Sequence, residues 1–152
     1  MRQRPAIGER VTHRITVGPE MTARLFGREI HPVYATAWMV RHVEEAGRML
    51  VEPHLGPDED ATGSSIQLAH ERSARVGDQV TVAARVTAVD DRSCTVAFEV
   101  RGPTGVLGRG VFVQRYIEKA WPGGERERDR RAEPGENARV EPEEVSRWPT
   151  NS

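Results

Sequence analysis

A hydroxyl, a carboxylate and an imidazole stand out in this 152-residue chain for the chemistry their spacing would allow. Thr36 and Glu44 lie in HPVYATAWMVRHVEEAG, which runs from His31 to Gly47, and His70 closes SSIQLAH. At about 100° per residue of helix, both Thr36 and Glu44 can face one cleft from the same helix side. A carboxylate that meets an imidazole fixes its tautomer and raises its basicity, as a general base requires. Thr36 stands where the segment turns from extended to helical, and the free N–H groups of a helix start favour a developing oxyanion. Each residue also has a plainer use. Thr36 is a preferred N-cap type, Glu44 borders an apolar helix face and can simply reach water, and a lone histidine is commonly a core or rim residue.

Other chemistry-bearing residues fit less well. Gly63, in ATGSS just before the strand that ends at His70, either lets a backbone N–H approach a substrate carbonyl or is a loop glycine. Ser64 and Ser65 lack the G-x-S-x-G elbow of a serine nucleophile. Cys94 is the one cysteine, so neither an intrachain disulfide nor a cysteine zinc cluster can form, and its strand parity suits packing. His13 falls at an inward or dimer-facing strand position, and His42 flanks the helix stripe opposite Glu44. His31 and His54 adjoin prolines. Nothing spaces these residues as metal ligands, so no metal is expected.

The elements that must hold these groups follow from periodicity. GERVTHRITVG alternates with a period of two through Val11, His13, Ile15 and Val17. PEMTARLFGREIHP has no clean period and reads as a loop with a short helical turn. From Thr36 a proline-free run places Met39, Val40, Val43, Ala46, Gly47 and Leu50 on one helix face, until Pro53 and Gly56 end it. Gly47 inside that helix costs about 1 kcal/mol against alanine, so it calls for a close neighbour. LGPDEDATG reads as a polar loop. SSIQLAHERSA, VTVAARVTAV, SCTVAFEVR and VLGRGVFVQRYIE read as strands, the last three joined by the turns DDR and GPTG. One long helix with about five antiparallel strands is an α+β arrangement. A single helix leaves one sheet face open, which invites a second subunit, so a homodimer is expected. Residues 1–121 form the expected domain. Residues 122–152, rich in proline, glycine and charge, form an expected tail with too little apolar surface to offset its ordering.

Bulk composition narrows the function. A net charge of -1 gives a polyanion no global reason to bind, and 5% aromatics supply few stacking platforms, so nucleic acid is not an expected partner. No apolar run nears the roughly 20 residues of a membrane helix, and no apolar segment follows the first residues as a secretory signal would. A cytoplasmic protein is expected.

Three stretches carry a family likeness: VYATAWMVRHVEEAG, DATGSSIQLAHERSARVGDQVTVAARV and, less fully, VLGRGVFVQRY. Over residues 7–118 the chain resembles the fluoroacetyl-CoA thioesterase-like group of hot-dog proteins. The resemblance implies a helix wrapped by a curved antiparallel sheet, with two subunits pairing their sheets. It places the family's catalytic threonine, glutamate and histidine on Thr36, Glu44 and His70, and its substrate-contacting glycine on Gly63. It implies substrate contacts at Ile30, Val33 and Phe112. Ile30 stands where the fluoroacetate-specific enzyme has a gating phenylalanine, and Phe112 where relatives have a last-strand histidine, so a different acyl group is expected. The implied activity is hydrolysis of an acyl thioester on coenzyme A or a carrier protein. No cofactor is implied beyond coenzyme A as part of the substrate. The alternative is a non-hydrolytic hot-dog protein, a dehydratase or an acyl-thioester binding module.

Overall fold

Valine-rich alternation builds the sheet. A computed structural model describes residues 3–119, and the expected tail at 122–152 lies outside the described residues. The strands are β1 (Arg10–Thr16), β2 (Thr22–Leu25), β3 (Arg28–Tyr34), β4 (Glu59–His70), β5 (Gln79–Val89), β6 (Ser93–Gly102) and β7 (Gly105–Glu118), and helix α1 spans Thr36–Val51. Five strands form one antiparallel sheet in the order β1-β5-β6-β7-β4. Val80, Val82, Ala84 and Val86 of β5 face inward, as do Cys94, Val96, Phe98 and Val100 of β6. The expected inward Ala88 is instead exposed, because a bulge between Val86 and Ala88 resets the parity.

Helix α1 touches all five strands, so the curved sheet wraps it as the hot-dog resemblance implies. Met39, Val43, Ala46, Gly47 and Leu50 are buried on the expected face, and Val40 is half-buried. Truncating one of these side chains, as in Leu50→Ala, is expected to cost about 2–5 kcal/mol.

Two stretches read as loops are strands. Residues 22–34 form the separate β2–β3 hairpin, preceded by the expected turn at Pro19–Met21. Register shifts at Thr22/Ala23 and Ala23/Arg24 break its alternation, and its exposure removes the apolar face that would have marked it. Strand β4 begins at Glu59, within the expected polar loop, because pairing with β7 supplies backbone bonds where burial is slight.

The sheet has two edges. β1 carries Arg10 and Arg14 along its length, and such charges blunt edge-to-edge pairing. β4 runs without a charge from Thr62 to Ala69, and Thr62–Ser65 are exposed.

Candidate active site

The junction between β3 and α1 positions the first pair. The Tyr34 N–H donates to the Ala74 carbonyl at 2.8 Å and the Ala35 N–H to the Met21 carbonyl at 2.9 Å, fixing the chain as it enters the helix. Ala35 occupies the N-cap position without a side-chain cap, so the expected cap at Thr36 is shifted by one residue. Thr36 is the first helical residue, and its hydroxyl has a different partner: Oγ1 lies 2.8 Å from His70 Nδ1. Thr36 is exposed and His70 half-buried, so the pair is reachable from solvent. Burial pushes the His70 imidazole below histidine's ordinary 6.5, partly offset by a backbone hydrogen bond at Arg72. The ring is therefore neutral near neutral pH. A neutral imidazole against a hydroxyl can take up its proton, which is the chemistry of an activated nucleophile or water.

Glu44 lies two turns further along α1. It lines an open cleft of about 230 Å³ with Arg41, Arg48, Gly63, Phe112 and Gln114. Among the described residues, Glu44 makes no hydrogen bond or ion pair. The expected meeting of Glu44 with His70 is thus not made inside one chain. Instead Glu44, Gly63 and Phe112 come together in one place, and Thr36 and His70 in another. Ile30 is 40% exposed on the hairpin, and Val33 is half-buried and bridges Arg75; neither lines the Glu44 cleft.

Gly47 has the close neighbour its cost called for. A Cβ there would stand 2.7 Å from the Phe112 ring, and Gln114 Nε2 donates to the Gly47 carbonyl at 3.0 Å. A side chain at position 47 would push both away.

One cluster was not expected from periodicity. His42 is 3% exposed, and its Nδ1 is hydrogen-bonded to the hydroxyl of the buried Tyr34. The two rings stack at 5.7 Å, and Tyr34 turns its edge to His70 at 6.5 Å. Burial raises the Tyr34 phenol, so it stays protonated, and lowers His42, so it stays neutral. His13 Nε2 and His42 Nε2 lie 3.3 and 3.8 Å from one Glu45 oxygen. The signal was present: His42 falls three residues after Met39 and four before Ala46, on the apolar stripe itself. Among the described residues, no group of three or more metal-ligating side chains is placed to hold an ion. Arg72, a basic side chain near His70 in sequence, donates to the Thr104 carbonyl at 2.7 Å.

Comparison with known proteins gives the chain its family. The family described as fluoroacetyl-CoA-specific thioesterase (FlK) matches residues 17–120. The chain is 30% identical over 117 residues to the fluoroacetyl-CoA thioesterase of Streptantibioticus cattleyicolor, covering 73% of this chain and 84% of that protein. It is 34% identical to a solved Thermus thermophilus thioesterase superfamily member, with a TM-score of 0.75 over 86% of this chain and 94% of that one. A mutant FlK crystallised with fluoroacetate and CoA is 29% identical, with a TM-score of 0.71 over 75% of this chain and 96% of that one.

Proposed function

Because this chain belongs to the fluoroacetyl-CoA-specific thioesterase family and is a thioesterase with the hot-dog fold, we propose that it hydrolyses acyl thioesters of coenzyme A or a carrier protein through Thr36 and His70. The observation that carries this reading is the 2.8 Å contact between the Thr36 hydroxyl and His70 Nδ1. His70 takes a proton from water, or from Thr36 acting first as nucleophile. A C–O bond forms at the thioester carbon, the C–S bond breaks, and the proton returns to the leaving thiolate; where Thr36 attacks first, water then cleaves the Thr36 ester, releasing the acid and restoring the hydroxyl. The Gly63 N–H, with free N–H groups of the α1 N-terminus, polarises the carbonyl oxygen.

Glu44 enters this scheme through a homodimer. β4 is an edge strand without a charge from Thr62 to Ala69, the kind of stretch that pairs with another strand. A two-fold axis near Ile66 and Gln67 would set Gly63 opposite the partner subunit's His70. Glu44 shares its cleft with Gly63, so the carboxylate of one copy would then approach the imidazole of the other. There Glu44 orients the imidazole and raises its basicity, or attacks the carbonyl to form a transient anhydride that water then cleaves. With Ile30 in the hairpin and Phe112 in the cleft, the acyl group is one other than fluoroacetyl.

Thiol release from short, branched, aromatic and halogenated acyl-CoAs tests the reading. Release from at least one, abolished in His70→Ala, supports it. No release from any of them, or full activity in both His70→Ala and Glu44→Gln, overturns it.

A further inference from the structure

Phe112 is 3% exposed and fills the gap between α1 and β4. A Cβ added at Gly47 would lie 2.7 Å from ring atoms Cδ1 and Cε1, and one at Gly63 would lie 3.1 Å from Cε2 and 3.2 Å from Cζ. Ring atoms Cδ1 and Cε1 therefore lie close against the helix at Gly47, and Cε2 and Cζ close against the strand at Gly63. Two side chains are missing so that one ring can fit. Gln114, two residues further along β7 and 4% exposed, is tied to the Gly47 carbonyl and closes the space beside the ring. Across the sheet, Phe112 pairs with Ile66 of β4 and Val96 of β6, both packed in or on the core. The ring is held by backbone on two sides and has little room to swing away.

We infer that Phe112 ends the acyl pocket, so that the enzyme takes short acyl groups and turns away longer ones. This rests on the thioesterase reading above, in which Gly63 holds the carbonyl oxygen. With the oxygen there, the acyl carbons beyond the carbonyl run against the ring edge that abuts Gly63. Glu44 is exposed and lines the same cleft as Gly63 and the ring, and the thiol leaves from there toward water. The two glycines make the ring's position a property of the backbone, so the pocket does not deepen by a rotamer change. A single methylene that must push against such a wall changes kcat/KM by roughly 10–200-fold.

The test is the full chain with acetyl-, butyryl-, hexanoyl- and octanoyl-CoA, followed by thiol release. The wild-type protein is expected to lose about tenfold or more in kcat/KM at one step of the series. Phe112→Leu is expected to move that step to a longer chain and to raise hexanoyl relative to acetyl by about tenfold. A wild-type profile that is flat or rising to octanoyl overturns the inference while leaving the thioesterase reading intact. So does a folded Phe112→Leu that lowers every substrate equally. If Phe112→Leu does not fold, the wild-type profile alone decides. If no thioester releases thiol, the parent reading fails and this inference falls with it.

Discussion

The two ends of α1 differ in how far one chain completes them. At the N-terminal end, Thr36 and His70 are already hydrogen-bonded, and the entry to the helix is fixed by backbone bonds at Tyr34 and Ala35. Two turns on, Glu44 stands in an open cleft with no hydrogen-bonded partner among the described residues, although its neighbours Gly47, Gly63 and Phe112 are tightly fitted. One half of the site is completed within the chain, and the other leaves Glu44 exposed beside a tightly packed ring.

The largest expected effect breaks the finished half. His70→Ala is expected to lower kcat by about 10²–10⁴, the usual range for a general base, while the melting temperature stays near that of the wild type. A small kinetic loss would remove His70 from the chemistry. The pH dependence sharpens the same point. The base must be neutral to act, so kcat/KM is expected to fall on the acid side. Burial lowers the His70 pKa within one chain and a partner carboxylate raises it, so the residual activity of Glu44→Gln is expected to titrate at a lower pH than that of the wild type. An unchanged midpoint would separate Glu44 from the imidazole.

At the other half, Gly47→Ala sets helix propensity against packing. Alanine favours the helix by about 1 kcal/mol, but its Cβ would meet the Phe112 ring at 2.7 Å. Net destabilisation of about 1–3 kcal/mol is expected in denaturant titrations. The loss should shrink or reverse when Phe112→Leu is added. An equal loss in both backgrounds would show that the ring is not what position 47 accommodates.

The smallest effect is on stability in acid. His42 and His70 both have folded pKa values pushed below the ordinary 6.5 by burial, so the folded state binds protons less readily than the unfolded chain. Their contribution is fully present above pH 6.5 and is lost as pH falls from there toward their folded values. The melting temperature should decline over that window, and the decline should be shallower in His42→Gln.

Much of this was legible before any coordinates. The alternation of β5 and β6 and the apolar stripe of α1 could be read because each has one face in a single core. The β2–β3 hairpin could not, since exposure and bulges erase the period that burial imposes. The first residues of β4 were hidden for another reason: Glu59 and Asp60 are acidic and paired with Arg4 and Arg48, so a charged stretch that reads as loop is a strand paired with β7. Thr36 and His70 were each picked out, from helix start and strand parity, but the expected partner of His70 was Glu44; the contact observed is with Thr36. Spacing could place Glu44 on the same side of the helix as Thr36. It could not say what Glu44 faces, because periodicity describes faces within one chain and not what covers them.

The sharpest test mixes two inactive proteins. His70→Ala and Glu44→Gln subunits, unfolded together and refolded as a mixture, form dimers that carry one undamaged composite site in each mixed pair. Thiol release is expected to return to about a quarter of the wild-type level, since half of the dimers are mixed and each has one of two sites intact. A mixture that stays as inactive as its parents would contradict a site shared between subunits.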